Sequence, residues 1–302
     1  MTKATQARGA LAALAGGILG LAFSPLLVRA SEIGPSATAV QRVLLAMPVL
    51  MPWMLVEQRG LGALTAIGRR DWLTLLLAGL FWTGDLVAWH WALKLTSIAN
   101  ASLLTMTGPI FVTLGAWFFF REHIGRGFLL GLIISLAGAA PLVAASVELS
   151  GTHLWGDAIA MSAAGFFAAY LLAIKQLRGG LPTGTIMCLT CLFSLPGLFA
   201  AAWLSGESLV PPSLYGWFIV VALALSAQAF GQAFIALAMA RLPAPFTSVA
   251  LLIQPFLAIL LGWLILGEAA SLLQFVGGFV VLTGILVSRR YGMRRPAETA
   301  SS

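Results

Sequence analysis

Charged side chains are scarce in this sequence of 302 residues, of which only 9% are Asp, Glu, Lys or Arg. A soluble domain carries about 25% charged residues, so most of this chain cannot form a surface that faces water. Apolar residues make up 60% of the sequence. This composition predicts an integral membrane protein whose outer face contacts the lipid bilayer.

Residue patterns that build catalytic, metal or cofactor sites are also missing. The three histidines, His90, His123 and His153, lie in different segments and form no metal-binding pattern. The two cysteines, Cys188 and Cys191, form a C-x-x-C in an apolar run, without the further ligands of a zinc site. No G-x-x-x-x-G-K-[ST] motif provides a phosphate-binding loop for ATP. We therefore predict no enzyme activity, no metal and no cofactor.

The formal net charge of +7 does not indicate nucleic-acid binding. Lys and Arg occur singly or in pairs between apolar runs, without the basic stripe and interleaved aromatics expected for that function. The predicted partners are a small-molecule substrate and the lipid bilayer. We expect a monomer to be the functional unit.

The sequence does contain an internal duplication. Residues 91–138 and 237–284 share identical residues at a constant spacing of 146. Five of these pairs are Pro, Trp, Glu or Gly: Pro109 and Pro255, Trp117 and Trp263, Glu122 and Glu268, Gly131 and Gly277, and Gly138 and Gly284. A period near half the chain length predicts two related halves, 1–147 and 148–302.

Ten apolar segments are long enough, at about 20 residues each, to cross a bilayer as helices. They lie at 9–29, 37–56, 72–93, 99–119, 127–146, 156–175, 185–204, 214–236, 245–265 and 272–288. The sequence therefore predicts an all-α integral membrane protein with ten transmembrane helices. The first segment resembles a signal peptide, but because it completes the first half we interpret it as a retained span.

The distribution of basic residues predicts the orientation. With the N-terminus in the cytoplasm, 14 of the 17 Lys and Arg residues lie in cytoplasmic segments, two lie outside and one lies within a span. Because each half has an odd number of spans, the second half must cross the membrane in the opposite sense. The prediction is two inverted five-helix repeats with both termini cytoplasmic.

Two charged residues, Arg42 and Asp85, lie inside predicted spans, where charge is costly and therefore marks a functional candidate. At 1.5 Å per helical residue their depths differ by only about 5 Å. One interpretation is a pair lining a water-filled cavity that opens outward, with Asp85 taking up a proton. The other is a structural ion pair between two helices.

Aromatic residues accompany this pair. Trp82, Asp85 and Trp89 recur at i, i+3 and i+7, so they share a helix face. Together with His90 they predict a pocket for a small amphipathic molecule. The alternative for Trp89 and His90 is the belt of aromatic residues at the membrane interface.

Prolines inside spans predict helix kinks that border a cavity, because the carbonyl they release must be buried or face water. The predicted kinks are at Pro25, Pro109 and Pro255. The remaining cavity candidates are Ser24, Thr105, Ser162, Phe166, Tyr170, Gln228, Gln232 and Gln254. For any one of the polar side chains, the alternative is a hydrogen bond between helices.

These segments resemble the drug/metabolite transporter superfamily, in its ten-helix EamA-like branch. The resemblance rests on residues 91–97 followed by Pro109, on the turn at Arg121 and Glu122, and on the weaker echo at 238–268. It implies a bacterial inner-membrane transporter with a central cavity formed by both halves, and an exporter of aromatic amino acids in particular. Small four-helix relatives use a glutamate in the first span, where this sequence has only Ser24.

The sequence thus predicts an exporter of small amphipathic metabolites, amino acids above all, that works by alternating access. The alternatives are a lipid-modifying intramembrane enzyme, a membrane scaffold, and a transporter of other drugs or metabolites. The residues retained in both copies are kinks and turns, so specificity is expected where the copies differ. The differing pairs are Asp85 and Gly231, His90 and Ala236, and Gly108 and Gln254.

Overall fold

The structure is a computed structural model that describes residues 3–58, 64–65, 67–95, 104–144, 154–266 and 272–292. Over these ranges the regular secondary structure is helical. The first half contains α1 (Lys3–Ala22), α2 (Ser24–Arg29), α3 (Pro35–Leu44), α4 (Met47–Gln58), α5 (Arg69–Leu95), α6 (Gly108–Phe120) and α7 (Arg126–Ala144). The second half contains α8 (Leu154–Leu177), α9 (Thr183–Leu204), α10 (Leu214–Leu223), α11 (Ala233–Met239), α12 (Ala244–Leu251), α13 (Gln254–Leu261) and α14 (Leu272–Gly292). Two π-helical segments, Ala224–Gln232 and Gly262–Leu266, continue α10 and α13.

Within the described residues, eight helical runs are long and apolar enough to cross a membrane. They are Gln6–Arg29, Pro35–Gln58, Arg69–Trp89, Trp155–Leu177, Thr183–Leu204, Leu214–Met239, Ala244–Ile265 and Leu272–Arg290. Two shorter apolar helices, Gly108–Phe120 and Arg126–Ala140, lie at the predicted fourth and fifth spans. The all-helical membrane architecture is therefore confirmed. The predicted start of the fourth span, at residue 99, lies outside the described residues.

Helices of the two halves pack against each other in pairs. The pairs are α1 with Ala224–Gln232 and α11, α3 and α4 with α9, α5 with α8, α6 with α12, and α7 with α14. The first of these contacts is very close, because a Cβ atom on Gly17 would lie 2.8 Å from the carbonyl oxygen of Gly231. Three residues further along α1, a Cβ on Gly20 would meet the carbonyl of Ser226, which precedes Gly231. The two chain segments therefore run antiparallel.

The contact between α7 and α14 joins duplicated residues crosswise. A Cβ added to Gly131 would lie 2.7 Å from the carbonyl oxygen of Gly284, and one added to Gly138 would lie 2.8 Å from that of Gly277. In the sequence duplication Gly131 corresponds to Gly277, and Gly138 corresponds to Gly284. Each glycine thus meets the counterpart of the other, which is the contact pattern of a two-fold axis. The two helices are antiparallel, as inverted copies require.

Ser135 and Val281 lie on this axis. They are themselves 146 residues apart, and the Ser135 hydroxyl donates a long hydrogen bond of 3.5 Å to the Val281 carbonyl. A residue that contacts its own counterpart must sit where the two copies meet. The period read from the sequence is therefore the period of the folded structure at this contact.

The pair formed by α3–α4 and α9 is fixed at both ends by a glutamate. Glu57, at the end of α4, accepts a hydrogen bond of 2.6 Å from the backbone N–H of Gly184 in the first turn of α9. Glu207, after the end of α9, accepts one of 2.8 Å from the N–H of Ala37 in α3. A carboxylate at a helix N-terminus satisfies an unpaired N–H and interacts favourably with the helix dipole. The two ends of the pair thus use the same interaction.

Candidate functional site

A cavity of about 380 Å³ lies between helices of the two halves. The predicted site residues that line it are Ser24, Pro25, Arg42, Trp82, Asp85, Trp89, Thr105, Pro109, Gln232, Gln254 and Pro255. The remaining wall consists largely of apolar side chains. Ligand pockets commonly have about 300–1,000 Å³ and an apolar wall with a few polar groups. This cavity therefore has the size and the lining of a site for a small metabolite.

Three prolines in the cavity wall lie where a helix is interrupted for one or two residues. Pro25, Pro109 and Pro255 each occupy the second position of a helix. At that position a proline is well tolerated, because its missing N–H would have no partner within the helix. The residue that precedes each of these helices keeps right-handed helical dihedrals, so the chain continues in a helical direction through the interruption.

Arg42 is buried in the wall and held by three neighbours. Its Nε donates a hydrogen bond of 3.2 Å to Oε1 of Gln228, and its Nη1 donates a longer one of 3.4 Å to Oγ of Ser24. Its Cζ lies 5.3 Å from the ring centre of Trp82, within the range of a cation–π interaction. The guanidinium is therefore held in one position by neutral groups.

Asp85 lines the same cavity and is partly exposed to it. Opposite charges on Asp85 and Arg42 attract each other across such a cavity. The hydrogen bonds of Arg42 within the described part of the chain nevertheless go to the neutral oxygens of Gln228 and Ser24. The predicted pair thus lies in one cavity, with one charge of each sign in its lining.

Trp82 is supported from behind by a second aromatic residue. The Trp82 ring is almost fully buried, and its centre lies 4.8 Å from that of Tyr170. Tyr170 is also buried and does not reach the cavity lining. Phe167, which stacks on Tyr170 at 6.2 Å, lines the cavity in its place. Tyr170 is therefore a support for the wall.

Two further predicted residues, Ser162 and Phe166, are not at the cavity. Ser162 is exposed, and its hydroxyl donates to the carbonyl of Ile159 in its own helix. Phe166 is 38% exposed and packs against Gly84. The residues of this helix that line the cavity are Ala164 and Phe167. Because each helical residue turns by about 100°, Ser162, Phe166 and Tyr170 lie on a different side of the helix, and the prediction that this face borders the cavity is wrong.

Gln228 and Gln232 lie in the π-helical segment Ala224–Gln232, which the sequence pattern did not predict. Gln232 lines the cavity, whereas Gln228 lies behind the wall. Gln228 accepts from Arg42 and donates a hydrogen bond of 3.2 Å to Sγ of Cys191. π-Helical turns interrupt α-helices most often at functional sites. The segment lies opposite the glycines of α1, where the close contact needs a small residue at Gly231.

For two of the three duplicated pairs expected to set specificity, the structure places both members. Asp85 lines the cavity, while its counterpart Gly231 packs against α1. Gly108 and its counterpart Gln254 both line the cavity, and Gln254 donates a hydrogen bond of 3.3 Å to the Leu21 carbonyl. The side chain of His90 lies outside the described residues.

Ser248 and Phe167 also line the cavity, but neither was among the residues predicted from the sequence. Ser248 belongs to the series 248, 251, 252 and 255, whose spacing of i, i+3, i+4 and i+7 defines one helix face. Pro255 was already a candidate, so this face could have been extended backwards to Ser248. Within the described residues no group of three or more His, Cys, Asp or Glu could hold a metal ion.

Comparison with known families gives two matches within this chain. The EamA-like transporter family matches residues 7–144 and again residues 154–290. A crystal structure with 20% sequence identity superposes with a TM-score of 0.81, covering 97% of this chain and 100% of the other. At that identity the superposition supports the fold alone.

Several curated proteins are similar in sequence. The uncharacterized transporter YdfC of Bacillus subtilis is 28% identical over 201 residues, which cover 64% of this chain and 62%, less than two thirds, of that protein. The pseudopaline exporter CntI of Pseudomonas aeruginosa is 25% identical over 245 residues, covering 81% of this chain and 83% of that protein. A riboflavin transporter of Rhizobium johnstonii is 28% identical over 221 residues, covering 70% of this chain and 68% of that protein.

The family matches together span most of the chain, and the predicted resemblance is confirmed at this level. Two of these relatives are named as a pseudopaline exporter and a riboflavin transporter, which agrees with a cavity between apolar helices. The chain is a membrane transporter that belongs to the EamA-like transporter family.

Proposed function

We propose that this protein exports small amphipathic metabolites, most readily amino acids including aromatic ones, across the bacterial inner membrane. In this proposal ten transmembrane helices form two inverted five-helix repeats, 1–147 and 148–302, with both termini in the cytoplasm. A monomer is the transporting unit. The cargo binds in the central cavity, and the two repeats rock around it to expose it to either side in turn.

The observation that carries the proposal is the composition of the cavity wall. Arg42, Asp85 and Trp82 come from the first half, whereas Gln232 and Gln254 come from the second. A site built from both halves changes shape whenever one half moves relative to the other. Such a site can bind a cargo in one arrangement and release it in another.

The interrupted helices support a rocking motion. Pro25, Pro109 and Pro255 have no N–H to donate to the preceding turn, so the chain can bend at these positions at low cost. All three border the cavity. In inverted-repeat transporters, discontinuous helices typically lie at the substrate site near the bilayer midplane.

Other metabolites are a second candidate cargo, favoured by a specific observation. One relative is named a riboflavin transporter, and the cavity here has the aromatic side chains of Trp82, Trp89 and Phe167 in its wall. Aromatic side chains stack on flat ring systems. Riboflavin therefore belongs in the first panel of test compounds.

Reconstituted liposomes test the proposal. Purified protein in liposomes is loaded with a panel of unlabelled amino acids or with riboflavin, and uptake of the labelled compound by exchange is measured with and without a pH gradient. Exchange above that of protein-free liposomes, for at least one amino acid, is the expected result. No exchange with any amino acid would contradict the proposed cargo, and exchange with riboflavin alone would favour the second candidate. Dependence of the rate on the gradient would indicate proton coupling.

A further inference from the structure

We propose that the cavity binds its cargo as a zwitterion, with a carboxylate at Arg42 and an ammonium group at Asp85. The inference rests on the proposed transport function and names the chemistry that the cargo must carry. It requires both charged groups of the cargo to be present and unblocked. An apolar or aromatic body alone would not suffice.

The positive end of this site is Arg42. It is buried in the wall, and the acceptors it reaches among the described residues, Gln228 and Ser24, are neutral. A buried guanidinium binds a carboxylate more strongly than a neutral oxygen, because both partners are charged and two parallel hydrogen bonds can form. A cargo carboxylate would therefore supply the anionic partner that the wall itself does not place in hydrogen-bonding contact.

The negative end is Asp85. Its carboxylate lines the cavity and remains partly exposed to it. Asp85 follows Trp82 by three residues on α5, so the two side chains lie on one helix face. The Arg42 guanidinium lies over the Trp82 ring. The two charges are therefore set along one wall of one small cavity. A single cargo molecule with opposite charges at its two ends can reach both.

Two unsatisfied polar atoms supply an independent observation. The indole Nε1–H of Trp82 and the side-chain Oε1 of Gln232 are buried and have no hydrogen-bond partner among the described residues. Both side chains line the cavity, while the two atoms themselves are covered in the present arrangement, so a cargo reaches them only after a local movement. Buried polar atoms normally have partners, and unsatisfied ones in a native site call for an explanation such as a ligand. One atom is a donor suited to a carboxylate and the other an acceptor suited to an ammonium group.

The remaining wall fits the rest of such a cargo. Trp89 and Phe167 line the cavity beside the polar groups and provide an apolar and aromatic surface. An α-amino acid presents the two charges at one end and its side chain at the other. The cavity therefore selects a cargo by its two charged groups and tolerates different amino-acid side chains.

The test uses compounds that differ only in one charge. Exchange of labelled tryptophan in liposomes is competed with unlabelled tryptophan, phenylalanine, N-acetyltryptophan, tryptophan amide and indole. The two free amino acids should compete, whereas the blocked derivatives and indole should need at least about tenfold higher concentrations, in line with losing one charged pair. Equal competition by N-acetyltryptophan and tryptophan amide would overturn the inference while leaving transport intact.

A variant of Asp85 tests which residue binds the ammonium group of the cargo. Asp85→Asn should weaken competition by tryptophan at least about tenfold and leave N-acetyltryptophan, which has no ammonium group, unchanged. Asp71→Asn, at the start of α5 and away from the cavity, is the matched control and should behave as the unaltered protein. An Asp85→Asn protein that keeps the full preference for tryptophan would overturn the assignment. If this variant fails to fold, the compound series on the unaltered protein still decides the matter. No exchange of any amino acid would instead contradict the proposed function itself.

Discussion

Arg42 and Gln228 are 186 residues apart and belong to different halves, yet they are joined by a hydrogen bond of 3.2 Å within the wall of the cavity. Both side chains are buried. The position of the guanidinium therefore depends on how the second half sits against the first. Any movement between the halves that separates α3 from the π-helical segment Ala224–Gln232 would also move the cationic group of the cavity.

Replacing Arg42 by Lys should reduce transport at least about tenfold while leaving the protein folded. An ammonium group keeps the charge but cannot donate to Gln228 and Ser24 while lying flat on the Trp82 ring. The measurement is the initial rate of exchange in liposomes. Arg70→Lys, an exposed change at the start of α5, is the control and should have no effect. Equal rates for both variants would show that the fixed guanidinium has no role.

Replacing Gly20 by Ala should destabilise the protein by about 1–3 kcal/mol, the usual range for an overpacked contact. The added Cβ would lie 2.5 Å from the carbonyl oxygen of Ser226 and 3.2 Å from Cα of Gly231, and neither backbone atom can move independently. Thermal unfolding in detergent measures the effect. Gly165→Ala in α8 is the matched control, because its Cβ meets nothing within 4 Å. There the better helix propensity of Ala should stabilise by up to about 1 kcal/mol. Similar melting temperatures for the two variants would refute the close contact.

Replacing Arg121 by Gly should raise stability by about 0.5–1 kcal/mol. Arg121 has a φ of 51°, a left-handed conformation that costs a non-glycine residue energy and suits glycine at the end of a helix. The duplicated position in the second half is Gly267. Arg126→Gly, at the exposed first residue of α7, should instead lower stability because glycine is a poor helix residue. A melting temperature of Arg121→Gly at or below that of the unaltered protein would contradict the argument.

Glu122 should make stability depend on pH. Partial burial raises the pKa of its carboxyl above the ordinary value, and the charge of Lys175 opposes this only in part. The fold therefore favours the protonated form, and stability falls as the pH rises through the window between the unfolded and folded pKa values. Glu122→Gln should accordingly raise the melting temperature at neutral pH and lose that advantage at about pH 4, below both pKa values. An equal difference at both pH values would show that titration of Glu122 is not the cause.

Much of the fold was predictable because the chain repeats itself. The spacing of 146 residues predicted two related copies. Copies related by a two-fold axis bring Gly131 into contact with the counterpart of Gly138, and Gly138 into contact with the counterpart of Gly131. The apolar runs anticipated the helical spans, because only long apolar helices satisfy their backbone within a bilayer. Charged residues and prolines are rare inside these runs. Their positions predicted that Arg42, Asp85 and the three prolines would border a cavity, and the structure places all five in the lining of one cavity.

The remaining features depend on packing that no local pattern specifies. The π-helical segment holding Gln232 lies where α1 approaches closely, and a pattern of apolar residues cannot tell an α-turn from a π-turn. Ser162 and Phe166 were misplaced because the side of α8 that faces the cavity is set by its packing against other helices. That side carries Ala164 and Phe167, and Phe167 points about 100° away from the neighbouring Phe166.

The central claim is that cargo passes through the cavity between the two halves. Its most direct test is the exchange rate of a Gln254→Cys variant in liposomes, before and after reaction with a membrane-impermeant thiol reagent. Ser208→Cys, exposed in the turn between α9 and α10, is the control, and the native Cys188 and Cys191 are buried. Modification of Gln254→Cys should stop exchange, saturating cargo should slow that modification, and the Ser208→Cys variant should keep its rate. Complete modification of Gln254→Cys with an unchanged exchange rate would contradict the claim.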